Sequence, residues 1–176
     1  GISESFRYGI FQTISIITTT GFTITELDNM GILLPVLIML LAFVGACSGS
    51  VGGGIKAWRI NILIRLAFDN ITKIMHPTAV STIKFNGEKI EQKQIESVFS
   101  FVAIYVLIAI LFLLALMLQD IDFYSAFSAV SATLNNLGPG LGQFSDNYSS
   151  LEPAGKITLS LACLLYTSDA ADDWQG

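Results

Sequence analysis

At 176 residues and a net charge of −5, the chain is 52% hydrophobic and only 13% charged, whereas soluble proteins carry roughly a quarter charged residues. That composition is far from an ordinary soluble domain's, and no nucleic-acid partner is expected. Residues 31–47 and 97–118 contain no charge at all. About 20 apolar helical residues cross a bilayer, so the chain is expected to sit in a membrane.

The sequence opens on Gly1-Ile2-Ser3-Glu4, without Met and without a signal-peptide pattern, and reads as a fragment. Residues 3–17 predict a short helix capped by Ser3 or Ser5, too short to span and therefore suited to a re-entrant half-helix. It runs into Thr18-Thr19-Thr20-Gly21-Phe22-Thr23. A polar stretch through Asn29 leads to the apolar run 31–47, followed by Ser48-Gly49-Ser50-Val51-Gly52-Gly53-Gly54 and a mostly apolar segment, 55–68. One helix over 31–68 would be about 57 Å long, nearly twice the hydrocarbon thickness. The glycines predict a break at membrane depth and a second helix emerging into the cytoplasm.

Residues 76–96 are polar, with turn signals at His76-Pro77 and Asn86-Gly87. Val80, Ile83, Phe85, Ile90 and Ile95 predict an amphipathic patch at the inner surface. The run 97–118 returns outward, and Asp120-Ile121-Asp122 caps a second short helix, 123–134. That helix ends in Asn135-Asn136-Leu137-Gly138-Pro139-Gly140-Leu141-Gly142. A polar loop, 143–153, precedes a final apolar stretch, Ile157 to Tyr166, which at ten residues is short for a span.

Charge sets the orientation. Seven of the nine basic residues lie between the two runs: Lys56, Arg59, Arg65, Lys73, Lys84, Lys89 and Lys93. The positive-inside rule places them in the cytoplasm. Glu26, Asp28, Asp120, Asp122, Asp146 and Glu152 flank the opposite ends, as ordinary loop carboxylates or as an outer vestibule that concentrates cations. Cys47 and Cys163, in apolar surroundings, read as buried thiols. His76, alone and before a proline, reads as a turn residue. Asn70-Ile-Thr72 and Asn147-Tyr-Ser149 match the glycosylation pattern, which chance produces often.

The order repeats: capped short helix, glycine-bearing turn, outer loop, apolar run. Pairing Gly21 with Gly138 sets an offset of 117 residues (138 minus 21), which also pairs Phe6 with Phe123 and Ser15 with Ala132. Backbone exposed at membrane depth is tolerated where it lines a watery cavity or is buried in protein. Carbonyls in an extended turn can replace a potassium ion's hydration shell, and Thr hydroxyls add oxygens. Gly21 and Gly138 provide the positive φ that aims successive carbonyls, and the C-terminal ends of the half-helices favour a cation. The competing reading is a plain helix-ending turn. Residues 49–56 superficially suggest a phosphate loop, but Ile55 and Ala57 break its pattern. The break reads as a flexible constriction, hence a gate, or else as a kink packed on small residues.

TTTGFT at 18–23, GACSGSVGGGIKAWRI at 45–60, HPTAV at 76–80 and SATLNNLGPGLG at 131–142 resemble, in order and spacing, the TrkH branch of the Trk/Ktr/HKT potassium transporters. The resemblance covers residues 1 to about 162. It implies an all-α membrane protein built of potassium-channel-like outer helix–pore helix–inner helix repeats with re-entrant filter loops, four around one pore. Residues 1–75 would hold the third repeat's pore helix, filter and broken inner helix, 76–96 a cytoplasmic connector, and 97–163 the fourth repeat. By motif match, Thr18, Thr19, Thr20, Gly21 and Phe22 resemble the third filter strand, and Asn135, Asn136, Leu137 and Gly138 the fourth, with K+ as the transported ion and no organic cofactor. Ala46, Cys47, Ser48, Gly49, Ser50, Val51, Gly52, Gly53 and Gly54 resemble the family's intramembrane gating loop.

The resemblance further implies a multi-pass protein of the bacterial inner membrane. It implies a homodimer on a cytosolic, nucleotide-binding TrkA-like regulatory ring docked on 56–93. Two repeats are absent, and 164–176 departs from the family as a non-native tail, leaving no counterpart for the inner-helix arginine. A sodium-permeable member, a structural subunit without transport, and an intramembrane enzyme are the competing functions; the charge-free runs offer no catalytic pair for the last.

Overall fold

The computed structural model describes residues 2–23, 31, 33–45, 53–75, 84–85, 88–89, 92–145 and 147–172. Six helices carry the fold. They are α1 (Ile2–Ile17), α2 (Leu33–Val44), α3 (Ala57–Met75), α4 (Gln92–Met117), α5 (Phe123–Leu134) and α6 (Pro153–Asp172). The chain pairs as two-residue strands at Lys84–Phe85 and Glu88–Lys89, with Phe85 opposite Glu88. Asn86-Gly87 is a strong signal for such a hairpin.

Helix α4 is unbroken over 26 residues, about 39 Å at 1.5 Å per residue. Among the described residues it is the one helix long and apolar enough to cross a membrane. Ile104, Leu107, Ile110, Leu111 and Leu114 stand exposed along it. The first apolar run forms a shorter helix than 31–47, ending at Val44 after 12 residues, because Gly45 turns the backbone to φ +69. The following helix begins at Ala57 and runs to Met75, beyond the expected limit at 68. Ser3 and Ser5 lie within α1, which already includes Ile2, so neither stands at the position preceding the helix. Asp122 does cap α5, its carboxylate accepting from the Ser125 N–H at 3.0 Å. Helix α6 continues through Asp172, so the final apolar stretch is part of a 20-residue helix instead of a ten-residue one.

Helix α5 is the hub. Ser125, Ala126, Ser128, Ala129, Val130, Ser131, Ala132 and Leu134 are all buried, and such small residues let neighbouring backbones approach closely. One side packs Ala126, Ala129, Val130 and Leu134 against Leu116 of α4 and Leu159 and Ala162 of α6. The other brings Ala132, Leu137 and Leu141 against Ile16 of α1 and Ile38, Met39 and Ala42 of α2. The second core places the ends of α1 and α5 side by side.

Candidate functional site

The two short helices end in the same way. After α1, the N–H groups of Thr18, Thr19 and Thr20 donate to the carbonyls of Ile14, Ile16 and Ser15. After α5, Asn135, Asn136 and Leu137 donate to Ser131, Thr133 and Ala132. Each bond maps onto its partner at the 117-residue offset. The crossed pair of bonds is a Schellman cap, which needs a left-handed residue. Thr19 and Asn136 occupy that position at φ 54 and 52, and two residues later Gly21 and Gly138 turn left-handed again at φ 77 and 98. Asn tolerates this region; a β-branched Thr does so only under strain. Side chains reinforce the match, since the Thr18 hydroxyl and the Asn135 amide each donate to the carbonyl four residues back at 2.7 Å.

The turns meet. A Cβ placed on Gly21 would stand 2.1 Å from the Leu137 carbonyl oxygen, whereas one on Gly138 would meet nothing within 4 Å. Among the described residues, no hydrogen bond uses the carbonyls of Thr18, Thr19, Thr20 or Gly21, nor those of Asn135, Asn136 or Leu137. Thr18, Thr20 and Asn136 are exposed and Thr19 and Gly21 half-buried, so a row of carbonyl oxygens without protein donors is available here to replace a cation's hydration shell. The row is clamped at its far ends. The buried Ser15 hydroxyl donates to the Phe22 carbonyl at 2.7 Å, and the Tyr148 hydroxyl to that of Gly138 at 3.1 Å.

The glycine-rich break approaches both turns. Its backbone N–H at Gly53 donates to the Thr19 hydroxyl at 3.3 Å, and a Cβ on Gly53 would lie 1.9 Å from the Asn135 carbonyl oxygen. The stems on either side of the break meet. The Ile55 N–H donates to the Phe43 carbonyl at 2.9 Å, and a Cβ placed on Gly54 would lie 2.6 Å from the Gly45 α-carbon. Ala46, Cys47, Ser48, Gly49, Ser50, Val51 and Gly52 lie outside the described residues, as do Glu26, Asp28, His76 and Asp146.

Several contributors carried no signal in the sequence reading. Ser128 receives the Leu141 N–H at 2.9 Å and Ser125 the Gln143 N–H at 3.1 Å, folding the outer loop onto α5. Serines recurring at 125, 128 and 131 on one apolar helix were the available cue. Tyr105 of α4 reaches Asn135 with its hydroxyl, 2.8 Å from Oδ1. Cys163 is half-buried, not enclosed, and its thiol donates to the Asn136 side-chain carbonyl at 2.7 Å. At the outer loop, burial pushes the Tyr148 hydroxyl up to about 12. The Ser125 N–H, the largest influence, holds the Asp122 carboxyl below its ordinary value, with burial opposing it.

Paired half-helices that end in matching carbonyl-bearing turns, flanked by an apolar spanning helix, define a pore-loop membrane architecture of the potassium-channel kind. The sequence matches the TrkH family model, described as a cation transport protein, over residues 2–165, and the chain belongs to that family. It is 41% identical over 155 residues to the Trk system potassium uptake protein TrkH of Escherichia coli K12, covering 88% of this chain and 32% of that protein. To the Vibrio parahaemolyticus protein of the same name it is 40% identical over 161 residues, covering 92% and 33%. The crystal structure of the potassium transporter TrkH from Vibrio parahaemolyticus matches with a TM-score of 0.88 at 38% identity, covering 97% of this chain and 36% of that one. The chain thus spans about a third of the length of these relatives.

Proposed function

We propose that this chain supplies two of the filter-lining units of a potassium uptake protein and acts as a transporter, not an enzyme. Thr18 to Phe22 and Asn135 to Gly138 offer main-chain oxygens to a bare K+ ion, and residues 46–54 gate the path on its inner side. The observation that carries this reading is the meeting of two identically capped turns, Gly21 against the Leu137 carbonyl. The ends of α1 and α5 add their negative dipole ends at the same place. The potassium uptake named for the relatives agrees with it.

The division into a third-repeat unit (1–75), a connector (76–96), a fourth-repeat unit (97–163) and a non-native tail (164–176) belongs to the same proposal. So do the multi-pass placement in the bacterial inner membrane, the homodimer, and a TrkA-like nucleotide-binding partner docked on the basic segment 56–93. The test is rubidium uptake, with sodium as competitor, by the full-length transporter containing this segment in a bacterium lacking its own potassium uptake. Gly21→Val and Gly138→Val are expected to abolish uptake; uptake unchanged in both removes the filter. Sodium carried as well as rubidium makes the cargo sodium.

A further inference from the structure

A buried ladder of side chains leads from the start of α3 to the second turn. Asn135 is fully buried at its head. Its side-chain oxygen accepts from the Tyr105 hydroxyl at 2.8 Å, and its amide nitrogen donates to the Ser131 carbonyl at 2.7 Å. Only one orientation of the amide satisfies both contacts, so Tyr105 fixes how Asn135 sits. The Tyr105 ring is itself held on two sides. Phe101 stacks at 6.1 Å and 25°, and Phe43 meets it edge-on at 6.1 Å and 84°. Arg59, 7% exposed, lies over the Phe101 ring with its guanidinium carbon 3.9 Å from the centroid.

These contacts touch both stems of the glycine-rich break. Phe43 belongs to the last turn of α2 and gives its carbonyl to Ile55 across the break. Arg59 lies in the first turn of α3, just past Gly54. The Asn135 carbonyl in turn lies against Gly53. A displacement of α3 therefore carries Arg59 across the Phe101 face and changes the seat of the Tyr105 ring. The buried bond between the Tyr105 hydroxyl and the Asn135 side chain passes that change on to Asn135.

We propose that Tyr105 is a positioning residue for Asn135 and that, with Phe101 and Arg59, it couples the position of α3 to ion preference in the filter. This rests on the assignment of residues 135–138 as filter. Coupling of this kind requires an element whose position both sites bias; here that element is α3, whose first turn carries Arg59 onto the Phe101 ring.

The trial uses the purified full-length transporter in vesicles, read by rubidium KM and by the rubidium-to-sodium uptake ratio. Tyr105→Phe keeps the rings and removes the hydroxyl. Loss of one hydrogen bond predicts a KM raised, and a ratio lowered, by roughly three- to tenfold. Size-exclusion behaviour should be unchanged, and Arg59→Gln should shift the ratio in the same direction. The double variant should shift it less than the product of the single effects. Should Tyr105→Phe not fold, Phe101→Leu retains the hydroxyl and is expected to lower the ratio likewise. An unaltered ratio and KM in Tyr105→Phe, or in Phe101→Leu where it replaces it, overturns the positioning role. A silent Arg59→Gln or multiplicative effects overturn the link to α3. Gly21→Val serves as the separate control: full uptake there defeats the filter reading itself, whereas lost uptake beside a silent Tyr105→Phe defeats only this inference.

Discussion

Gly53 rests with its α-carbon against the main-chain carbonyl of Asn135, so closely that a methyl group there would lie 1.9 Å from the oxygen. Its N–H meanwhile reaches the Thr19 hydroxyl of the other turn. One residue at the end of the break thus touches both candidate filter strands.

Gly53→Ala removes that seat without demanding a new backbone conformation. Contacts below 3 Å do not survive, so the loop must withdraw from Asn135. Rubidium leak through the full-length transporter in its resting condition is expected to rise several-fold, with helix content by circular dichroism unaltered. A leak equal to the parent's would show that the contact does not restrain the path.

Gly21 and Gly138 separate two penalties that alanine imposes. At both, φ lies in the left-handed region, which costs an L-residue roughly 1–2 kcal/mol. Only Gly21 adds a collision, with the Leu137 carbonyl oxygen at 2.1 Å. Gly21→Ala should therefore depress rubidium uptake at least tenfold, and Gly138→Ala should retain a measurable fraction. The reverse ranking would contradict the packing described here.

Ser15→Ala deletes the hydroxyl that holds the Phe22 carbonyl at 2.7 Å. A single neutral hydrogen bond contributes about 0.5–1.5 kcal/mol net, so a thermal melt in detergent should record a small loss. The paired position in the other unit is already Ala132, and Ala132→Ser should give no matching gain, because its turn is fastened from the outer loop by Tyr148.

The outer loop should also report on alkaline pH. The Tyr148 hydroxyl is pushed up to about 12 in the folded chain, from an ordinary value of 10.0. The folded state then holds its proton where the unfolded chain has released it. This contribution to stability is complete below about pH 10 and fades as pH climbs toward 12. Melting temperature followed from pH 9 to 12 should fall more steeply in the parent than in Tyr148→Phe. Parallel curves would remove Tyr148 as the cause. Asp122 acts in the opposite sense. Its lowered value makes the cap on α5 effective above about pH 4 and weaker as acid protonates it, and Asp122→Ala should cost about 1 kcal/mol at neutral pH.

Much of this arrangement was legible from residue order alone. The charge-free run 97–118 marked α4, Asp122 marked the start of α5, and the pairing of Gly21 with Gly138 marked two equivalent turns. The family resemblance supplied Asn135 and Gly53 as site residues. What escaped was of two kinds. Boundaries were misplaced where glycine ends a helix sooner than hydropathy does, as at Gly45, or where a helix outlasts its apolar stretch, as at Met75. The side-chain fastenings were invisible because Tyr105 and Asn135 lie 30 residues apart and meet only after α4 folds back along α5. No local pattern encodes such a meeting. Thr19 was read as a contributor of oxygen, and its left-handed backbone could not be anticipated for a β-branched residue.

The backbone bonds that shape each turn reach back no more than six residues into the helix that precedes it. Curvature of each turn is consequently a local property, written into a stretch of about ten residues before any distant partner arrives. A part that carries its own shape in this way can be copied along a chain and placed beside its twin, and the copies remain free to diverge in every side chain that does not fasten them.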